Sequence, residues 1–329
     1  MPKFNKPLIS IITSSWNREK YLKKLIFSLT NQTYKNFEWI IGNDGSKDNT
    51  DKLIKKISRK VNFKITYVNS TKRIGKSKLV NIMLTKVKGK FVVECDSDDY
   101  FKLNALKNLL RIMSDQKITK SKNFAGIIGQ NLSTDGVSQT FKKKIPQNIE
   151  VVKWENLIYK IDGDATLLTL SKLYKNRKYP EVDFLITESS LLNKVFKNKL
   201  FILTPKVVKI MNRNAKNSVS FNNKMKYTKG SAYCVSINET QKIFNSRNFI
   251  SKIKTIINYW RYTIHGDIRL NKAINLAKPI KNNKLYLLLY PISLLISVRD
   301  VILKKVEKTH IEFNKNIKNT KIDVNIFNK

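Results

Sequence analysis

The sequence predicts an α/β protein: a mostly parallel central sheet flanked by helices, followed by a helical C-terminal extension. Three observations carry this expectation. Over residues 1–115, short apolar runs alternate with segments whose apolar residues recur at helical spacing, the pattern of parallel strands joined by crossover helices. Polar residues capable of chemistry follow the strand-like runs at 13–17, 43–46 and 96–99, the ends at which such sheets bind ligands. After about residue 212 the chain turns Lys/Asn-rich and then reads as helix.

Taken in order, Leu8–Ile12 reads as a buried strand, and Glu19–Asn31 places Leu22, Leu25, Ile26 and Leu29 on one helical face. Phe37–Ile41 is a second strand, and Asn49–Lys60 a helix with Leu53, Ile54 and Ile57 inward. Phe63–Val68, Lys76–Lys86, Phe91–Cys95 and Lys102–Met113 continue the alternation. The pattern then becomes mixed. Phe124–Gln130 reads as a strand, Val151–Tyr159 as a helix, Asp162-Gly163-Asp164 as a turn, Ala165–Leu170 as a strand, Thr187–Phe196 as a helix and Phe201–Met211 as a strand. Beyond the polar stretch 212–232 the expectation is helix to the end of the chain.

The 329 residues are 41% hydrophobic and 10% aromatic, enough for a sizeable core and against general disorder. The two cysteines, Cys95 and Cys234, form no disulfide framework and fit a reducing compartment. Two histidines, His265 and His310, are too few for a histidine-built metal site. Met1–Lys6 is polar and the apolar run after it is short, so no secretory signal is read and a cytoplasmic location is expected. The formal net charge of +40 suits nucleic acid, an anionic membrane or a polyanionic substrate. Abundant Lys, Asn and Ile also fit AT-rich codon usage, and the lysines form no single block, so nucleic acid is not expected as a partner.

Residues 285–298 are the most apolar segment, but these fourteen residues, interrupted by Pro291, are too few to span a bilayer. With Lys281, Lys284, Arg299, Lys304 and Lys305 around them, residues 281–305 suit peripheral contact with an anionic membrane. A core helix or a dimer contact fits the same residues.

The most telling motif is Asp96-Ser97-Asp98-Asp99, directly after a strand-like run. Its carboxylates repel one another, and a divalent cation would compensate them. In extended backbone Asp96 and Asp98 project to the same side, and carboxylate oxygens suit Mg²⁺ or Mn²⁺ with substrate phosphates. An acidic turn capping the next helix fits equally when the motif is read alone. Asn43-Asp44-Gly45-Ser46 ends the second strand, and Gly45 allows a turn that would expose Asp44 to a uracil imide or a ribose hydroxyl. Simple turn chemistry is the competing reading. Thr13-Ser14-Ser15-Trp16-Asn17-Arg18 supplies hydroxyls and a flat ring suited to a nucleoside, or an N-cap with a packed Trp16. Ile74-Gly75-Lys76-Ser77 imitates the end of a P-loop, but position 70 is Ser70 where that loop needs glycine. Arg73, Lys76 and Lys78 remain candidate cations for a diphosphate.

Together these pieces resemble the glycosyltransferase family 2 catalytic domain of the GT-A fold, a Rossmann-like sheet. The resemblance rests on Pro7–Arg18, on Ser28 to Gln32-Thr33-Tyr34, on Asn43-Asp44-Gly45-Ser46-x-Asp48-x-Thr50, and on Asp96-Ser97-Asp98-Asp99. It covers the first 115 residues and thins after about residue 200. It implies that Asp44 contacts the nucleotide base, with Thr13, Ser14, Trp16 and Asn17 beside the donor. It implies that Asp96 and Asp98 hold the ribose and a Mn²⁺ or Mg²⁺ ion, with Asp99 an adjacent candidate. Trp16 replaces the usual Tyr or Phe, and Val80 stands where an Arg is common, leaving Lys76 or Lys78 to replace that contact.

In the acceptor half, Gly163-Asp164 and Tyr179-Pro180-Glu181…Thr187-Glu188-Ser189 resemble one branch of the family. Glu188 is the expected base, with Asp183 or Glu181 next. A first-turn acid favoured by the helix dipole also explains Glu188. Residues 1–115 are thus expected to form the nucleotide-sugar-binding half, 116–211 the acceptor-binding half and 212–329 the extension. The implied reaction is inverting transfer from a UDP-sugar or related donor to a glycan or lipid-linked glycan, at the cytoplasmic face of a membrane. A non-catalytic basic protein that binds nucleic acid or membrane and keeps the fold is the alternative. A nucleotidyltransferase is disfavoured because Thr13–Arg18 contains no glycine.

Overall fold

The computed structural model describes residues 8–141, 144–161, 163–182, 184–213, 230–233, 248–277, 285–306 and 320–327. The chain divides into two units, Met1–Lys178 with Val195–Lys216 and Asn314–Lys329, and Tyr179–Lys194 with Asn217–Phe313. The first is built on a sheet. Its strands are β1 (Ile9–Ser15), β2 (Phe37–Asp44), β3 (Lys64–Ser70), β4 (Phe91–Glu94), β5 (Tyr100–Phe101), β6 (Phe124–Ser133), β7 (Glu150–Lys153), β8 (Thr166–Leu170), β9 (Leu200–Met211) and β10 (Ile322–Phe327). Their order is β10-β3-β2-β1-β4-β8-β6-β9-β5, with β7 on β9. β3, β2, β1 and β4 run parallel, as strands linked by helices must. Their connections are α1 (Glu19–Thr30), α2 (Thr50–Ser58) and α3 (Lys76–Leu84), with α4 (Ala105–Ser114) after β5. Leu22, Leu25 and Leu29 of α1 and Leu106 and Leu109 of α4 are fully buried with Ile9, Ile11, Trp39 and Ile65 of the sheet.

Three elements of the sequence reading are redrawn. Val151–Tyr159 is not a helix: Glu150–Lys153 pairs antiparallel with β9, and only Trp154–Tyr159 turns, as 3-10 helix. Adjacent Val151 and Val152 favour the strand, and the Trp154 ring anchors the turn 4.9 Å from Phe196 and 5.5 Å from Phe201. The fourth helix begins at Ala105 rather than Lys102, because Tyr100–Phe101 is extended and pairs with β9. The chain is not helical to its end: Ile322–Phe327 lies antiparallel along β3, and its alternating Ile322, Val324 and Ile326 carry the period of a strand.

The second unit is helical. It holds α5 (Ser189–Val195, of which Val195 falls in the first unit), α6 (Phe249–His265), α7 (Leu270–Leu276), α8 (Leu285–Leu288) and α9 (Tyr290–Ile302). Ile256, Tyr259, Trp260, Ala273, Ala277 and Tyr286 form its core. The Trp260 ring lies 4.7 Å from Tyr286 and 4.8 Å from Tyr290, and its indole N–H donates to the Tyr286 carbonyl at 2.9 Å. Among the described residues no helix is long and apolar enough to cross a membrane. Cys234, His310, Asp162, Asp183, Lys281, Lys284 and most of the polar stretch 212–232 lie outside the described residues.

Candidate active site

The site forms where β1, β2 and β4 end. Leaving β1, the chain takes a left-handed step at Asn17 (φ 52°), a conformation Asn tolerates because its short amide hydrogen-bonds locally. The Asn17 Oδ1 accepts from the Lys47 amide at 2.8 Å, and the Asn17 amide donates to Ser46 Oγ at 2.9 Å. The Arg18 amide donates to Thr50 Oγ1 at 3.0 Å and the Glu19 amide to Asp48 Oδ2 at 3.1 Å. The turns after β1 and β2 are therefore zipped together, and Ser46, Asp48 and Thr50 of the second motif support the first. Thr13 is wholly buried and accepts from the Trp39 indole at 3.0 Å. Ser14 is half-buried at the end of β1.

The turn at Gly45 does not leave Asp44 exposed as expected: the residue is 5% exposed, because the loop before α3 covers it. Its carboxylate accepts from the Ile74 amide at 2.6 Å and from the Gly75 amide at 3.0 and 3.1 Å. Burial pushes its pKa up, against the pull of those amides and of nearby Arg73 and Lys78. Gly45 is required here: its φ is +66°, and a Cβ would lie 2.5 Å from the Lys72 carbonyl carbon. The Arg73 guanidinium stacks 3.6 Å over the Trp16 ring, so the turn after β1 and the loop before α3 also meet.

The acidic motif is a turn rather than extended chain, closed by the Asp99 amide donating to the Asp96 carbonyl at 3.1 Å. Its side chains still separate into two groups: Asp96 and Asp98 are partly exposed, whereas Ser97 and Asp99 are buried. Lys76 Nζ bridges Asp96 at 2.9 Å and Glu94 at 3.0 Å, and the lysine holds the Asp96 carboxyl well below its ordinary pKa. Asp98 has a weaker partner, Arg18 at 3.8 Å. Burial, then repulsion from Asp96 and Asp99, pushes Asp98 up to about 6. A nearby cation would favour the charged form of such a carboxylate. The oxygen-only donors of Asp96 and Asp98 fit a hard divalent cation.

Asp99 faces inward. Lys209 of β9 reaches it at 2.8 Å and the Asn212 amide donates to it at 3.1 Å. Burial works against the Lys209 charge, but Asp99, Cys95 and Asp96 outweigh it and raise the Lys209 pKa. The register places Lys209 opposite Phe101, two residues beyond Asp99. Sequence reasoning missed Lys209. The available signal was a lysine inside the apolar run Val207-Val208-Lys209-Ile210. The Ser28–Tyr34 motif serves the same turn. Ser28 Oγ accepts from the Phe101 amide at 3.3 Å, and Gln32 Nε2 donates to the Lys102 carbonyl at 2.7 Å.

Further along the chain, the Asp164 carbonyl accepts from Thr140 Oγ1 at 2.6 Å, and its carboxylate meets Arg213 at 3.2 Å. Glu188 belongs to the second unit, where it is exposed and its carbonyl accepts the Leu191 and Leu192 amides that begin α5. Glu181 precedes it in the same unit.

Residues 10–120 match the family described as glycosyl transferase family 2. A GalNAc(5)-diNAcBac-PP-undecaprenol beta-1,3-glucosyltransferase of Campylobacter jejuni is 26% identical over 200 residues, covering 60% of this chain and 62% of that protein. The poly(ribitol-phosphate) beta-N-acetylglucosaminyltransferase TarS of Staphylococcus aureus is 28% identical over 208 residues, covering 60% of this chain and 34% of TarS. The chain thus spans less than two thirds of the length of these relatives. The crystal structure of S. aureus TarS 1–349 in complex with UDP-GlcNAc superimposes with a TM-score of 0.55 at 17% identity, covering 94% of this chain and 97% of that one. Over residues 10–120, which hold the paired turns after β1 and β2 and the acidic turn after β4, the chain matches glycosyl transferase family 2, and its architecture is the GT-A fold shared with TarS 1–349.

Proposed function

We propose that the chain is an inverting glycosyltransferase that moves a sugar from a nucleoside diphosphate sugar, a UDP-sugar first among them, to a hydroxyl of a glycan or lipid-linked glycan in cell-surface polysaccharide synthesis. The observation that carries this reading is the turn after β4. It leaves Asp96 and Asp98 partly exposed, with burial and repulsion from Asp96 and Asp99 pushing Asp98 up to about 6. The Campylobacter and Staphylococcus relatives are named for an undecaprenol-linked and a poly(ribitol-phosphate) acceptor, which supports the acceptor class.

In this reading residues 1–115 bind the donor, 116–211 the acceptor, and 212–329 form an extension. Asp44 and the Asn17 turn, with Ser14, Thr13 and Trp16, shape the nucleoside end. Arg73, Lys76 and Lys78 meet the diphosphate. Asp96 and Asp98 would hold Mn²⁺ or Mg²⁺, which when bound offsets the charge of the leaving diphosphate. Asp99, neutralised by Lys209, positions the turn. The acceptor oxygen attacks the anomeric carbon from the face opposite the diphosphate, the bond from that carbon to the diphosphate oxygen breaks, and Glu188 takes the hydroxyl proton. Asp183 and Glu181 are the next candidates for that base, and Asp164 belongs on the acceptor side. The protein works peripherally at the cytoplasmic face of a membrane.

A panel of nucleotide sugars tests this by metal-dependent hydrolysis and thermal stabilisation. One donor should be hydrolysed with Mn²⁺ and not after chelation, and Asp98→Ala should lower that rate by about 100-fold or more. Full transfer and full donor binding by Asp98→Ala in Mn²⁺ would overturn the reading.

A further inference from the structure

A helix on the surface of a water-soluble fold normally buries its apolar side and shows its polar side to water. α9 does the reverse. Ser293 and Asp300 are fully buried and Ser297 is 2% exposed. Leu295 and Ile302 are 71% exposed, Val301 56% and Val298 53%. At 100° per residue, Ser293, Ser297 and Asp300 lie along one side, and Leu295, Val298 and Ile302 along the opposite one.

The buried hydroxyls are satisfied within their own helix, and the buried carboxylate by a neighbouring one. Ser293 Oγ donates to the Leu289 carbonyl at 2.6 Å, and Ser297 Oγ to the Ser293 carbonyl at 2.8 Å. Arg261 of α6 clamps the Asp300 carboxylate at 2.7 and 2.8 Å, with Arg299 at 3.4 Å and His265 at 3.6 Å. The core helix that residues 285–298 also allow forms only in part: Tyr286 and Leu289 enter the core of this unit, whereas Leu295 and Val298 of α9 stay outside it. A contiguous exposed apolar face of this kind marks a contact site.

Charge selects the occupant. Asp300 is the one carboxylate between Leu285 and Val306, and it is buried. The charges shown beside the apolar row are all positive: Arg299, Lys304 and Lys305 are exposed. A second copy of a chain with net charge +40 would meet its own repulsion across this face. An anionic lipid surface supplies both an apolar interior and opposite charge.

We propose that α9 docks the protein on an anionic membrane, with Leu295, Val298 and Ile302 entering the acyl boundary and Arg299, Lys304 and Lys305 at the headgroups. This deepens the peripheral membrane role proposed above and rests on it, but it is read without donor or acceptor, so an inactive enzyme leaves it intact. The experiment is flotation of the full chain with vesicles of phosphatidylglycerol and phosphatidylethanolamine, against phosphatidylcholine alone. Native protein should float with the anionic vesicles only. Leu295→Gln/Val298→Gln/Ile302→Gln should weaken binding by at least about tenfold. Lys304→Gln/Lys305→Gln should weaken it about fivefold per lysine, and circular dichroism should report unchanged helix in both variants. Native protein that ignores anionic vesicles, or a triple variant that floats as well as native, overturns the proposal. So does a dimer in vesicle-free solution, seen by light scattering, that the triple variant abolishes.

Discussion

Asp99 in the sheet unit and Asp300 in the helical unit are 3% and 0% exposed, and each is paired with a cation from a distant part of the chain. Their consequences differ. Lys209 and the Asn212 amide draw Asp99 inward, and the turn it closes presents Asp96 and Asp98 outward. Arg261 draws Asp300 inward, and the helix that carries it presents Leu295, Val298 and Ile302 outward. A buried charge needs a partner and hydrogen bonds to be tolerated. Once that is met on one side of an element, the opposite side is fixed as the exposed one. In the first unit this leaves Asp98 a partly exposed carboxylate with Arg18 at 3.8 Å beside it, and in the second an apolar row.

Removing the cation of each pair is the sharpest way to break the comparison. Lys209→Met leaves Asp99 buried with one amide donor, and should cost about 3–5 kcal/mol in urea unfolding. It should also lower donor hydrolysis, since the turn that carries Asp96 and Asp98 loses its anchor. Unchanged stability would show that the pair does not hold the turn. Arg261→Met should cost less, about 2 kcal/mol, because Arg299 and His265 stay beside Asp300. Calorimetry checks this, and a loss equal to that of Lys209→Met would make the two pairs equivalent. The smallest effect is expected at the apolar row: Leu295→Gln, 71% exposed, should change stability by no more than about 0.5 kcal/mol. A larger loss would mean that Leu295 serves the fold rather than a docking surface.

Much of the first unit is legible in the sequence because its signals are local. Leu22, Leu25 and Leu29 announce α1 by spacing alone, and Asp96-Ser97-Asp98-Asp99 announces an acidic strand end. Other features needed distant partners. Val151 and Val152 become a strand because β9 offers an edge. Ile322–Phe327 shows a period of two, yet its place beside β3 depends on a partner some 250 residues earlier. Asp44 reads as a ligand-facing carboxylate, and the structure adds that its oxygens accept the Ile74 and Gly75 amides. That contact exists only once the loop before α3 has folded over Gly45.

Local signals in the chain specify the strand–helix alternation up to residue 114, the family resemblance of its first third, and the position of the acidic turn. Periodicity, turn chemistry and charge repulsion all act within a few residues of one another. Only the tertiary structure decided which acid of the turn faces inward, and which side of α9 meets water. Each outcome depends on one long-range ion pair, Lys209 with Asp99 and Arg261 with Asp300. No local pattern encodes the partner of a buried charge.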